Sequence, residues 1–138
     1  MNVLVVDDER LLRWSLERLF TKYNIDVIAV ETGEEACTVL EHSYFDWLIT
    51  DLRLPGISGF DVLRFAKKMY PQIHCLVISA FGSEEMRKEL ESIGIDLYLD
   101  KPFSMDFLLE TIRKTEIKSV EDKKQVPENR LPKLLSLL

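Results

Sequence analysis

Several things are scarce in this 138-residue chain, and each shortage removes a class of protein. There are two cysteines, Cys37 and Cys75, both in apolar surroundings. Two thiols so placed make neither a disulfide framework nor a metal-ligand motif, and they read as core thiols of a reducing cytoplasm. The two histidines are no catalytic pair: His42 closes a helical run, where a cation suits the helix dipole, and His74 opens an apolar run. No apolar stretch reaches transmembrane length, and the first residues lack the basic start and long apolar region of a signal peptide. No membrane partner is expected. Lysine and arginine number 18 against 24 aspartates and glutamates, giving a net charge of −6. Without a basic stripe there is nothing to bind nucleic acid directly. No glycine-rich loop suited to cradling phosphate is present, nor any Ser/His/Asp arrangement.

What the chain does have is an alternation of strand-like and helix-like periods, repeated five times. The strand-like runs are residues 2–6, 26–30, 46–50, 74–79 and 95–99. Between them, leucines at helical spacing (Leu12, Leu16, Leu19) mark a first helix, and Thr32 with Glu35 forms a capping box for a second. A breaker-rich loop, Leu54 to Gly59, precedes a third helix stopped by Pro71, and Ser83 and Ser104 open a fourth and a fifth. Runs apolar on both faces suit a parallel sheet covered by helices. Five such units with right-handed crossovers predict an α/β, flavodoxin-like (βα)5 doubly wound sandwich, with sheet order 2-1-3-4-5.

Ligands of such sheets collect beyond the carboxyl ends of the strands. The residues there are Asp7 and Asp8, Asp51, Ser79, and Lys101 followed by Pro102. Three carboxylates a few ångströms apart repel by about 3 kcal/mol per pair at an effective dielectric near 20. A hard divalent cation relieves this, and Mg²⁺ suits carboxylates, waters and phosphate oxygens. One aspartate alone would read as a helix cap; three at adjacent strand ends read as a metal site. A carboxylate can attack phosphorus, which makes Asp51 the central candidate. Lys101 supplies a compact cation for Asp51 or a phosphoryl oxygen, and Ser79 a hydroxyl donor.

This set, in this order, resembles the receiver domain of bacterial two-component response regulators, over Met1 to about Lys114 and including Leu54-Pro55 and Gly59. The resemblance implies that Asp51 accepts a phosphoryl group from a sensor histidine kinase or histidine phosphotransferase. It implies Mg²⁺, with Mn²⁺ as a substitute, held by Asp8, Asp51 and the backbone carbonyl of Arg53, with Asp7 completing the acid pocket. Ser79 and Lys101 would bind the phosphoryl group, Tyr98 would be the switch aromatic, and the Lys101–Pro102 bond would be cis. Bulk at Arg53 and Phe81 would slow loss of phosphate. The protein would turn over no external substrate.

Two surfaces stand out. On the first helix Trp14 points away from the leucine stripe, with Leu11, Ser15 and Arg18 beside it, a composition suited to docking the phosphodonor. On the fifth helix Phe107 lies opposite the apolar face. The resemblance places it on an output face of fourth helix, fifth strand and fifth helix, where a phosphorylation-dependent homodimer or effector would bind. Residues 1–115 are read as the receiver, and 116–138 as a charged linker or helix extension with a short apolar end. The 24 residues after Lys114 are too few for a DNA-binding domain, so a transcriptional role needs further sequence. The alternatives are a haloacid dehalogenase-type phosphohydrolase, which wants a second acid where Arg53 stands, and a phosphorylation-independent interaction module.

Overall fold

The computed structural model describes residues 1–80 and 82–124, with side chains up to residue 116. Its first unit, Met1–Phe103, holds the sheet and four helices. The strands are β1 (Asn2–Val6), β2 (Asp26–Val30), β3 (Trp47–Asp51), β4 (His74–Ser79) and β5 (Leu97–Asp100). They pair in parallel in the order β2-β1-β3-β4-β5. This is the doubly wound arrangement the alternation predicts.

The three inner strands, β1, β3 and β4, are buried along almost their whole length. Their β-branched and leucine side chains fill both faces, as a sheet covered by helices requires. The expectation of two apolar, buried faces fails at the edges. In β2, Asp26 and Ile28 are exposed, and β5 is only half-buried. An edge strand has a neighbour on one side only, so helices shield it less.

The helices of this unit are α1 (Arg10–Lys22), α2 (Gly33–His42), α3 (Gly59–Met69) and α4 (Glu84–Ile93). Each begins where a polar residue follows a strand. Thr32 accepts from Glu35 N–H, Ser58 and Asp61 form a reciprocal capping box, and Ser83 accepts from Met86 N–H. Glu9 precedes α1 without a capping hydrogen bond from its side chain. On α1 the fully buried residues are Leu16 and Phe20, while Leu12 and Leu19 are half-buried. Phe20, one turn beyond Leu16, belongs to the core that the leucine stripe only partly outlined.

The second unit begins at Ser104. Its helix α5 (Met105–Lys124) starts with Phe107 N–H donating to Ser104 Oγ, 3.2 Å. Leu108, Leu109 and Ile112 are buried, and Phe107 is exposed. The helix continues into the charged stretch after residue 116. The apolar end, residues 131–138, lies outside the described residues. Among those described, no helix is long and apolar enough to cross a membrane.

Candidate functional site

The register of the sheet brings the strand-end acids together. Val6 pairs with Thr50 across β1 and β3, so Asp7 and Asp51 leave their strands side by side. One carboxylate oxygen from each of Asp7, Asp8 and Asp51 lies within 4.8 Å of the others. At that spacing two charges repel by about 3 kcal/mol at an effective dielectric near 20. Asp7 and Asp51 are buried, whereas Asp8 is exposed.

Lys101 answers two of them. Lys101 Nζ donates to Asp51 Oδ2 at 2.8 Å, to Asp7 Oδ2 at 3.0 Å and to Glu9 Oε1 at 3.1 Å. Burial acts to lower the lysine pKa, but the bonds to Asp51, Asp7 and Glu9 outweigh it and hold the ammonium above its ordinary value. Burial pushes the Asp7 carboxyl up, against the Glu9 N–H and Lys101, which act the other way. The remaining oxygens accept from backbone: Asp7 Oδ1 from Glu9 N–H at 2.8 Å, and Asp51 Oδ1 from Arg53 N–H at 3.1 Å. The donor set is three hard carboxylate oxygens, one of them open to solvent, and this fits a Mg²⁺ ion that keeps several waters.

The loop after Asp51 is held on both sides. Gly59 N–H donates to Leu52 O at 3.0 Å, and a Cβ at Gly59 would strike the Asp51 carbonyl. Only glycine permits that approach. From α2, Glu34 accepts the Ile57 N–H at 2.8 Å. Lys101 is fixed by its own N–H to Ser79 O at 2.9 Å, and the Lys101–Pro102 bond is cis.

Ser79 is buried at the end of β4. Tyr98 lies on β5 with its hydroxyl packed against Gly82, where any Cβ would collide with it. That hydroxyl is buried and makes no well-formed hydrogen bond among the described residues. Burial raises its pKa, and Ser79 is near enough to ease the shift. Arg87 of α4 sits over the Tyr98 ring at 5.0 Å and reaches Asp100 at 3.5 Å.

Of the residues the sequence singled out, Asp7, Asp8, Asp51 and Lys101 therefore meet, with Ser79 and Arg53 adjoining them through the backbone. Leu11 and Trp14 stand apart on the surface of α1, exposed by 73% and 53%. Ser15 is half-buried, and the Arg18 guanidinium covers the Trp14 ring at 4.7 Å. Phe81 lies outside the described residues. Two participants escaped the sequence reading. Glu9 is bonded to Lys101, and Arg13 Nη1 donates to the Asp7 carbonyl at 2.8 Å. The acidic run Asp7-Asp8-Glu9 was the available signal for the first; for the second there was none.

Comparison with known proteins agrees with this geometry. The family model for the response regulator receiver domain matches residues 3–113. The chain belongs to that family. It is 31% identical over 113 residues to the DNA-binding transcriptional regulator NtrC of Proteus hauseri, covering 82% of this chain and 24% of that protein. It thus spans about a quarter of that relative's length. Sporulation initiation phosphotransferase F of Bacillus subtilis is 25% identical, covering 82% of this chain and 91% of its own. Among solved structures, the response regulator TrrA of Thermotoga maritima, in complex with Mg²⁺ and BeF, superposes with a TM-score of 0.72 at 31% identity. That match covers 82% of this chain and 96% of TrrA. Receivers are signalling modules, and a phosphorelay role follows for this chain.

Proposed function

We propose that Asp51 is the phosphoryl acceptor and that the chain switches a downstream partner when it is modified. The observation that carries this reading is the Lys101 ammonium held between Asp51 and Asp7 at the mouth of a three-carboxylate cluster. An Asp51 oxygen attacks the phosphorus of a phosphohistidine, the P–N bond breaks, and the imidazole leaves with a proton from solvent. Asp8, Asp51 and the Arg53 carbonyl would hold Mg²⁺, or Mn²⁺ in its place, and Asp7 would complete the pocket. The ion supplies positive charge for the transferring oxygens. Lys101 and the Ser79 hydroxyl bind the phosphoryl group, and Ser79 draws Tyr98 with it. The change is passed to a downstream partner, and Phe107 of α5 contributes to a homodimer or an effector contact. The protein alters only its own phosphorylation state.

The test is intact mass after incubation with acetyl phosphate. A single phosphoryl adduct that requires both Mg²⁺ and Asp51 is expected, with Asp51→Asn giving none. An adduct that survives Asp51→Asn overturns the assignment.

The strip of exposed Leu11, Trp14 and Arg18 with half-buried Ser15 is the docking surface for the phosphodonor protein. Its composition is that of interface hot spots. Trp14→Ala should slow transfer from the cognate kinase about tenfold or more, a loss of about 1.4 kcal/mol in the encounter. Uptake from acetyl phosphate, which needs no docking, should stay unchanged; equal slowing of both would remove the strip from recognition.

A further inference from the structure

The loop from Leu52 to Ser58 carries the Arg53 carbonyl, and its freedom to move is concentrated at one peptide. Its two ends are tied. Arg53 N–H donates to Asp51 Oδ1 at 3.1 Å, Gly59 N–H donates to Leu52 O at 3.0 Å, and Ser58 is locked in its capping box with Asp61. Between these ties the Pro55 ring fixes its own φ. Gly56 follows with φ at +79°, and glycine takes positive and negative φ about equally readily. The peptide between Gly56 and Ile57 is therefore the one that turns most easily. Because the loop is closed at both ends, a turn there is passed back through Pro55 to Arg53.

That peptide is held from outside the loop. Glu34 of α2 accepts the Ile57 N–H at 2.8 Å. Its carboxylate lies against Gly56, where a Cβ would collide with it, and a Cβ at Gly33 would crowd the Ile57 side chain and carbonyl. Two residues without side chains thus let the start of α2 and the loop close together. The sequence divides the work between adjacent acids. Glu35 completes the cap with Thr32, its N–H donating to Thr32 Oγ1 at 3.2 Å, and Glu34 is left for the loop. Both lie in the first turn of α2, where the helix dipole favours a carboxylate.

We infer that Glu34 is a positioning residue for the metal: by pinning the Gly56–Ile57 peptide it keeps the Arg53 carbonyl in place for the ion. This rests on the reading of Asp51 as phosphoryl acceptor with Mg²⁺ beside it. Glu34 stands outside the carboxylate cluster and acts only through the loop. Mg²⁺ demands near-octahedral geometry at about 2.0–2.1 Å, so a carbonyl free to wander is a poor ligand for it. Removing a group that orients a metal ligand directly lowers affinity about 10- to 100-fold. Glu34 acts one step further off, and the expected loss is about three- to tenfold.

Two substitutions test this. Glu34→Ala removes both the acceptor and the charge, whereas Glu34→Gln removes the charge and keeps an acceptor oxygen. Mg²⁺ is titrated into each protein and followed by the backbone ¹H–¹⁵N signals of Asp8, Arg53 and Leu54. Exchange of the Ile57 amide proton with water reads the contact itself. In Glu34→Ala that proton should exchange faster, and Mg²⁺ affinity should fall about three- to tenfold. In Glu34→Gln both should stay within about twofold of the wild type, since the bond is kept. Phosphoryl uptake from acetyl phosphate should be slower in Glu34→Ala at limiting Mg²⁺ and match the wild type at saturation. Equal Mg²⁺ affinity in Glu34→Ala and the wild type would leave Glu34 a scaffold contact and overturn the inference. So would a Glu34→Gln protein as weak as Glu34→Ala, because charge alone would then explain the loss. An Ile57 amide indifferent to Glu34→Ala would do the same. A wild type that binds no Mg²⁺ and takes no phosphoryl group overturns the reading of Asp51 itself, a failure visible before any variant is compared. Thermal melts check that all three proteins are folded during the titration.

Discussion

The two rims of the sheet both carry aspartates at strand ends, and they use them differently. At the rim where strands begin, Asp46 and Asp96 have backbone or side-chain donors of their own. Asp46 Oδ2 accepts Asn2 N–H at 2.8 Å. Asp96 Oδ2 accepts Cys75 N–H at 2.8 Å, and its Oδ1 faces His74 Nδ1 at 3.2 Å. At the rim where strands end, Asp7, Glu9 and Asp51 all draw on the single ammonium of Lys101. Asp8 is exposed, with a carboxylate oxygen within 4.8 Å of oxygens of Asp7 and Asp51. A carboxylate matched to its donors is part of the scaffold. Carboxylates crowded beyond their donors are held in tension for a ligand that brings positive charge.

The comparison gives opposite signs for substitutions at the two rims. The larger effect is expected at the beginning of β4. Asp96→Ala leaves the Cys75 N–H, on a fully buried residue, without its side-chain acceptor. Loss of such a partner costs about 1–3 kcal/mol. The melting temperature should fall by about 3–10 °C, with or without Mg²⁺. Asp96→Asn keeps an acceptor and should recover most of the loss. Phosphoryl uptake should be the same in all three, since a strand's length separates this rim from the site. An Asp96→Ala protein as stable as the wild type would mean that rim is not held by its acids.

Much of this architecture was legible in the residues. In a parallel sheet the end of a strand is also the mouth of a crevice, so locating four apolar runs located Asp7, Asp8, Asp51, Ser79 and Lys101. The breaker-rich loop and Gly59 were legible for the same reason, as a turn that must fold back on Asp51. What stayed hidden depends on side-chain reach. Glu9 looks like the first residue of a helix, and only its unused capping position frees it for Lys101. Arg13 lies one turn into α1, and nothing in its spacing tells that it bends back to the Asp7 carbonyl. Asp46 and Asp96 fall inside the strand-like runs of the sequence; the structure starts those strands one residue after the aspartate, and each aspartate turns to a neighbouring strand's N–H. The edge strands were read as fully covered because composition records how apolar a run is, not how many neighbours it has.

The smaller effect, and the sharper one, is expected at Asp7. Burial and the nearby Asp51 raise its pKa against the pull of Glu9 N–H and Lys101. A carboxyl with a raised folded-state pKa stabilises the fold only while it holds its proton. That contribution is complete below the ordinary value of 3.8 and is lost as pH rises through the raised value. Ionisation of Asp7 is therefore a burden on the metal-free fold. Asp7→Asn keeps an oxygen for the Glu9 N–H and removes the charge. Without Mg²⁺ it should be more stable than the wild type at pH 7, by about 1–2 kcal/mol against a repulsion of about 3 kcal/mol that Lys101 partly offsets. The gap should close on acidification, as the wild type gains its proton. Mg²⁺ should narrow it from the other side, by stabilising the wild type more than the variant. Melting curves across pH, with and without the ion, read both trends. Were Asp7→Asn the less stable protein at pH 7, the bond to Lys101 would outweigh burial and repulsion together. Asp7 would then belong with Asp96, a scaffold acid at the wrong end of the sheet.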